Sequence, residues 1–364
     1  MHFFIDNDSG ATITGWIVLD NPAEVPQLSV LIPNREPINF GANVFRADLK
    51  DLGLHASGLA GFLIDDQIVA DITDVAALTL VERSSGLPIY SRNLEDTIQK
   101  KLLYVEIGVL PQLKLINNLT SNFSLCYPFA DRYSIDTINT ILANPAAQSI
   151  YVTGQINWMR FGSAAQLNGF TTVALLRDPF EELAERLLFL GYAARHQRGR
   201  GLYPTVSKFE GLLPVIAETD LHDPKSILAS FRKIDPEQRR ALRSPMTATF
   251  GCAPEEEVQR RSVSIALDNL AQFNVFGVRD RFADFSALVD DAIGAPILKS
   301  ADIQSFPGTL EVAEKLRQVG LIADLLDEDI ALYSFGREAF ANGYDGKDEL
   351  AKQPPVSQAM KTAG

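Results

Sequence analysis

The spacing of apolar residues changes near residue 100, and this change constrains the fold more than any other feature of the chain. Before it, short apolar runs of strand length are separated by Pro, Asn, Gly and Asp, which supply the backbone angles of turns. These runs are ATITGWIVLD, QLSVLIPN, AGFLIDD and AALTLVE. The pattern predicts a small all-β sandwich over residues 1–92, followed by a linker over 93–100.

From residue 101 strand-length runs alternate with helical ones, which is typical of parallel strands joined by crossover helices. The expected strands are LLYVEI, SIYVTG and TTVALL, and helices are expected near 110–119, over 134–144 and after residue 178. We therefore expect an α/β domain over 101–344 with a mostly parallel sheet flanked by helices. Residues 345–364 have little to bury and are expected to form a disordered tail.

Charge and composition exclude several classes of protein. The 46 acidic residues outnumber the 33 basic ones and give a net charge of −13, so no nucleic-acid partner is expected. The two cysteines and four histidines are scattered, which predicts neither a disulfide framework nor a metal site. Without a signal-like start or a long apolar run, no transmembrane segment and a cytoplasmic location are expected.

The stretch VALLRDPFEELAERLLFL admits two interpretations. Asp178 and Pro179 suit the start of a helix, with Glu181 placed for a capping box and Glu182 spaced to pair with Arg186 on the surface. Alternatively, Arg177 lies at the carboxyl end of a parallel strand, beside a helix amino terminus, and binds a phosphate or sulfate there. The residues alone leave both interpretations open.

With its surroundings, this stretch resembles the carbohydrate sulfotransferase family, and the resemblance spans about residues 100–342. It is carried, besides RDP, by SIYVTGQINWMRFG, SPMTATFGC, FNVFGVRDRFADFSAL and DLLDEDIALYSFGREAF. The resemblance implies a P-loop-like fold and the donor 3′-phosphoadenosine 5′-phosphosulfate (PAPS). The stretches TGWIVLDNP and ANVFRADL are similar to an accessory β-domain found beside envelope-polysaccharide enzymes.

The residues that the family uses on the sulfate end of PAPS are replaced in this chain. The family's first loop carries a lysine where this chain has Val109 and Gly-Thr where it has Gln112-Leu113. A family histidine after the next strand, a general base in several members, corresponds to Gln155, whose amide cannot accept a proton in that way. Lys114 is too far along the helix to substitute for the missing lysine.

The residues that the resemblance assigns to the 3′-phosphate are replaced as well. Its serine corresponds to Glu185, and a carboxylate about 4 Å from a phosphate costs roughly 4 kcal/mol at an effective dielectric constant near 20. Arg177, Thr247 and Gly251 keep suitable chemistry as vestigial cofactor contacts. We therefore expect a degenerate sulfotransferase, meaning one whose cofactor residues have been lost, with no cofactor.

Two further features are candidate sites. The basic loop AARHQRGRGLYP gathers four residues that could contact an anion or a glycan, or that pair with nearby acids as an ordinary solvated loop: Arg195, His196, Arg198 and Arg200. Glu106 ends the first α/β strand and is a candidate base in a remodelled site, although such a carboxylate is more commonly paired and structural.

Three functions are therefore compatible with the sequence. The favoured one is a sulfotransferase-like protein that binds a glycan or a protein partner in envelope-polysaccharide metabolism without catalysis. The second is an active PAPS-dependent carbohydrate sulfotransferase with a remodelled site. The third is an adaptor that works through its β-sandwich, and an exposed aromatic or basic face there would favour it.

Overall fold

The computed structural model describes residues 1–92, 97–196, 204–299 and 301–352, with backbone only at 204–205 and 344–352. Its first part contains strands and one short helix separated by turns. They are β1 (His2–Asp8), β2 (Ile13–Val18), β3 (Gln27–Leu31), β4 (Ile38–Gly41), β5 (Val44–Phe45), α1 (Ala47–Asp51), β6 (Leu59–Ile64), β7 (Leu78–Glu82) and β8 (Leu87–Arg92).

These strands form two antiparallel sheets, ordered β1-β2-β6-β5 and β4-β3-β7-β8 within the described residues. Buried and more exposed residues alternate along β1 and β7, so each strand turns one face inward. Inward residues of the first sheet, such as Ile13 and Ile64, share one core with Val30 and Leu80 of the second. The two sheets therefore pack face to face, as the turn-rich alternation predicts.

The second part alternates strands and helices. Its strands are β9 (Lys101–Val105), β10 (Leu125–Tyr127), β11 (Ile150–Gly154), β12 (Phe170–Leu176) and β13 (Val275–Val278). Its first helices are α2 (Leu113–Thr120), α3 (Ile135–Leu142), α4 (Trp158–Leu167), α5 (Pro179–His196), α6 (Pro204–Ser207), α7 (Leu213–Glu218) and α8 (Pro224–Phe231). Then come α9 (Pro236–Leu242), α10 (Pro245–Gly251), α11 (Arg260–Leu270), α12 (Phe282–Ile293), α13 (Thr309–Arg317), α14 (Gly320–Leu325) and α15 (Asp327–Lys352).

The five described strands of this part form a parallel sheet in the order β10-β11-β9-β12-β13. Helices cover both faces, which explains why β9 and β11 are almost continuously apolar and buried. The expected mostly parallel sheet with flanking helices is confirmed at this level. Because β9 lies between β11 and β12, the chain changes direction across the sheet beside β9, which is where ligands bind in such sheets.

The first and second parts contact each other directly. The buried Tyr127 hydroxyl donates a hydrogen bond of 2.7 Å to the carbonyl oxygen of Pro88 in β8. Apolar residues of both parts belong to one continuous core. Residues 93–96 of the expected linker and residues 353–364 of the expected tail lie outside the described residues, whereas α15 continues to Lys352, into the range expected to be disordered.

Candidate functional site

A small cavity lies at the carboxyl ends of β9 and β12, beside the point where the sheet order reverses. It is lined by residues that follow β9, β12 and β13 and by the first turns of α5, including Glu106, Gly108, Gln112, Arg177, Glu182, Glu185 and Arg279. Its volume is about 50 Å³, which is enough for a few water molecules. Sites for drug-sized molecules measure several hundred Å³, so this cavity is smaller than an ordinary nucleotide site.

Arg177 is buried in this cavity wall and is held by a carboxylate of its own chain. Its Nη1 atom lies 2.5 Å from Oε2 of Glu185, which is also buried. Its Nε lies 3.5 Å from Glu181, and Nη1 lies 3.9 Å from Glu182. The guanidinium that the resemblance assigns to the cofactor phosphate is therefore surrounded by carboxylates.

Both oxygens of Glu185 are engaged. Oε2 also accepts a 3.4 Å hydrogen bond from Nη1 of Arg279, and Oε1 accepts one of 2.9 Å from the backbone N–H of Phe306. Burial, with a contribution from the neighbouring Arg177, lowers the pKa of Arg279 from its usual value. Glu185 thus pairs with the buried guanidinium of Arg177 and with the half-buried one of Arg279.

The segment 303–306 covers the cavity and is tied down from both sides. Gln112 Nε2 donates to the carbonyl oxygen of Gln304 at 3.0 Å, and the N–H of Gln304 donates back to Gln112 Oε1 at 2.8 Å. Arg279 Nη2 donates to the same carbonyl at 2.6 Å and to Ser305 Oγ at 2.9 Å. Gln112, expected to mark a lost phosphate-binding position, therefore fastens this covering segment.

The RDP turn also forms the helix start that the sequence predicts. Asp178 Oδ1 accepts hydrogen bonds from the N–H groups of Phe180 and Glu181, at 3.0 and 3.1 Å. The Glu182–Arg186 pair, expected on the surface, is present at 3.2 Å but buried. The expected location is wrong because α5 is covered on most of its faces, and Arg186 also donates to the carbonyl oxygen of Ile107 at 3.1 Å.

Val109, at the position of the family's lysine, is a core residue. It is 2% exposed and belongs to a buried apolar cluster with Leu183, Ala184 and Leu187 of α5. The first loop is therefore anchored by apolar packing where the family uses a charged side chain.

Gln155 is held in place by hydrogen bonds of its side-chain amide. Its Nε2 donates to the carbonyl oxygen of Gly108 at 2.9 Å, and its Oε1 accepts from Lys208 Nζ at 2.8 Å. Lys208 Nζ also lies 3.0 Å from Oδ2 of Asp131. The amide therefore bridges the first loop and a Lys208–Asp131 ion pair.

Glu106 lines the cavity, and its surroundings shift its pKa. Its Oε1 atom is buried and has no hydrogen-bond partner among the described residues. Desolvation raises the pKa of Glu106 to about 7, with the Thr153 hydroxyl lowering it and the Asp131 charge raising it further. The expectation of an ordinary paired carboxylate does not describe this group.

Thr247 and Gly251 do not line the cavity, contrary to their expected role as cofactor contacts. The stretch SPMTATFGC, expected to be a loop, forms α10, and the N–H groups of Met246 and Thr247 donate to the buried carboxylate of Asp329. A Cβ atom on Gly251 would lie 2.2 Å from the carbonyl oxygen of Ser262. Gly251 is therefore required for the close packing of α10 on α11.

Two of the four basic residues of this loop, Arg195 and His196, lie in the described part of the chain and bond to their own helix. Arg195 Nε donates to the Gly191 carbonyl at 3.0 Å, and the His196 ring lies 2.9 Å from the Tyr192 carbonyl and stacks on the Tyr192 ring. Both side chains are exposed. Arg198 and Arg200 lie outside the described residues.

Sequence reasoning missed Arg279, Lys208 and Asp131. Arg279 directly follows β13, as Arg177 closely follows β12, so an arginine after an apolar strand was the available signal. Lys208 and Asp131 had no such signal, because they meet Gln155 only through tertiary packing.

The outer face of the first sheet carries an aromatic and basic surface. Phe4 and Trp16 are direct cross-strand neighbours, and Phe4 is 40% exposed. The Arg46 guanidinium lies 6.0 Å from the Trp16 ring, and Phe45, its neighbour in sequence, is 58% exposed. We call Phe4, Trp16, Phe45 and Arg46 the aromatic face; it is the kind of surface that favours a binding role for the first part.

Among the described residues no helix combines the length and apolarity needed to cross a membrane, and no group of His, Cys, Asp and Glu side chains is arranged to hold a metal ion. The chain matches no family model and no curated protein.

Proposed function

We propose that this chain is a degenerate sulfotransferase-like protein that does not bind PAPS in the ordinary way and acts as a binding protein in envelope-polysaccharide metabolism. The observation that carries the proposal is the 2.5 Å contact between Arg177 and Glu185. A cofactor phosphate would have to displace a buried carboxylate that already pairs with Arg177 and Arg279. The small cavity volume and the buried Val109 point in the same direction.

Displacing Glu185 from its arginines would cost free energy. Its two carboxylate oxygens would lose the three hydrogen bonds that they now accept. It would also break the contact that holds Phe306 and the covering segment 303–306. A cofactor would therefore have to supply several kcal/mol before any net affinity appeared.

Calorimetric titration tests this proposal directly. The full chain is titrated with adenosine 3′,5′-bisphosphate at low salt, and in parallel with Arg177→Gln. We expect no saturable heat from either protein at millimolar ligand. Saturable binding by the wild type that Arg177→Gln abolishes would show that the phosphate site is intact and would overturn the proposal.

We assign the binding role to the aromatic face of the first part. The exposed rings of Phe4 and Phe45, beside the half-buried Trp16, suit stacking on sugar rings, whereas Arg46 is already paired with Asp6 and Asp48. The test is binding to a uronic-acid polysaccharide, comparing Phe45→Ser with Phe335→Ser, since Phe335 is similarly exposed at 56% but belongs to α15. We expect Phe45→Ser to weaken binding at least fivefold and Phe335→Ser to leave it unchanged; equal effects would refute the assignment.

An active transferase is a second candidate, and Glu106 is the observation that favours it. A carboxyl with a pKa of about 7 at the carboxyl edge of a parallel sheet has the proton affinity of a general base. Incubating the chain with labelled PAPS and sugar acceptors tests this function. Sulfate transfer that Glu106→Gln abolishes would establish it, and no transfer would leave the binding role.

A further inference from the structure

A second cavity, separate from the Arg177 cavity, lies between the end of α8, helix α9 and helix α14. Its floor is apolar, formed by Phe231, Ile234, Leu321 and Leu325, and its rim is charged, formed by Arg239, Arg243 and Asp324. Its volume is about 220 Å³, below the 300–1,000 Å³ of sites for drug-sized molecules. A cavity of this volume fits a small ligand. Its apolar floor and charged rim together favour an amphipathic one.

The rim differs in charge from the rest of this acidic chain. Between residues 231 and 243 there are five basic residues, Arg232, Lys233, Arg239, Arg240 and Arg243, against two acidic ones, Asp235 and Glu237. Asp235 is occupied as the cap of α9, where it accepts a hydrogen bond from the N–H of Gln238. A positive region of this kind attracts anions despite the overall charge of −13.

The two arginines that line the cavity still have donors to offer. No carboxylate lies within 4 Å of Arg239 in the part of the chain that the structure describes. Arg243 uses Nη2 on Glu328 at 2.6 Å, and its Nε is shielded from solvent. Its Nη1 makes no hydrogen bond within the described residues and is the donor that Arg243 can offer to a ligand.

We propose that this cavity binds a small amphipathic monocarboxylate. Its apolar body lies on Phe231, Ile234, Leu321 and Leu325, and its carboxylate accepts hydrogen bonds from Arg239 and Arg243. Asp324 on the same rim disfavours a second negative charge on the ligand, which is why a single carboxylate is the class we choose. This site is separate from the Arg177 cavity, so it stands or fails independently of the function proposed above.

Titration of the full chain with octanoate, benzoate and the neutral 1-octanol tests the site. We expect octanoate or benzoate to bind with a dissociation constant below about 1 mM, and 1-octanol to bind at least tenfold more weakly. The two acids distinguish an alkyl from an aromatic body. If neither acid binds at about 10 mM, or if 1-octanol binds as tightly as octanoate, the proposal is wrong.

Two exposed arginines of α9 give matched variants that leave the apolar core untouched. Arg239→Gln should weaken carboxylate binding about tenfold or more, because a charge-assisted hydrogen bond is lost. Arg240→Gln removes the same charge from the same helix but does not line the cavity, so binding should change less than twofold. Equal losses in both variants would mean that general surface charge attracts the anion, and would overturn the site.

Discussion

Nη1 of Arg177 lies 2.5 Å from Oε2 of Glu185, two helical turns further along the chain, and both side chains are buried. In this contact the protein supplies its own anion to an arginine that resembles the phosphate ligand of a sulfotransferase. Glu185 is shared with Arg279 and with the N–H of Phe306, so it also closes the cavity. The predictions below follow from this arrangement.

Glu185→Ala should destabilise the protein by about 3–5 kcal/mol, because it removes the carboxylate that the buried Arg177 shares with the half-buried Arg279. Urea denaturation measures the change in the free energy of unfolding. Glu181→Ala is the control, since Glu181 is more exposed and lies 3.5 Å from Arg177, and it should cost less than about 1 kcal/mol. Similar costs for both variants would mean that Glu185 is not the principal partner of Arg177.

Val109→Lys, which restores the family's lysine, should not restore function. Val109 is 2% exposed within an apolar cluster, and burying an unpaired ammonium there should cost more than about 3 kcal/mol. Leu113→Lys, at a position 54% exposed on α2, should change the free energy of unfolding by less than about 0.5 kcal/mol. A stable Val109→Lys protein that gains cofactor affinity would contradict the role of Val109 as a core residue.

Gly251→Ala should destabilise the protein by about 2–3 kcal/mol, because the new Cβ atom would collide with the backbone of α11. Gly320→Ala is the control: no atom lies within 4 Å of its added Cβ, so the substitution should be neutral or slightly stabilising. Thermal unfolding compares the two. Equal unfolding midpoints for the two variants would mean that close packing does not require Gly251, which would then again be a candidate ligand contact.

The stability of the wild type should fall as the pH rises from about 4.5 to about 7. The pKa of Glu106 is raised from 4.5 to about 7 in the folded protein, so the folded state binds the proton more tightly than the unfolded state. The stabilisation is complete below pH 4.5 and is lost as the pH passes through 7. Its size is on the order of 3 kcal/mol.

Glu106→Gln should remove the part of this dependence that Glu106 contributes, and urea denaturation at pH 5, 6, 7 and 8 measures it. Asp329 adds a similar but smaller slope, since burial raises its pKa from 3.8 to about 6. The difference between wild type and variant isolates Glu106. Parallel pH profiles for the two proteins would show that Glu106 titrates normally.

The helices and strands in which apolar residues recur at a regular spacing were predictable from the sequence. The strands LLYVEI, SIYVTG and TTVALL correspond to β9, β11 and β12. Apolar runs of strand length before helical segments fix these elements, because parallel strands are buried on both faces. The turn-rich alternation of the first 92 residues similarly predicts its antiparallel sheets.

The candidate site was only partly predictable. Arg177 and Glu185 lie eight residues apart. The sequence indicates that a carboxylate at position 185 would oppose phosphate binding by Arg177, but not that the two side chains bind each other. The surface assignment of Glu182 and Arg186 failed because charged residues on a helix usually face water, whereas α5 is enclosed by several elements. Segment 303–306 reaches the cavity only through tertiary packing, which no local pattern encodes.

The claim that Glu185 takes the place of a cofactor phosphate is tested most directly by thermal unfolding with and without millimolar adenosine 3′,5′-bisphosphate at low salt. Ligand at about 100 times its dissociation constant would add about 2.7 kcal/mol and raise the midpoint by several degrees. We predict an unchanged midpoint for the wild type. A rise of several degrees that disappears in Arg177→Ala would contradict the account, because Arg177 would then be free to bind the phosphate.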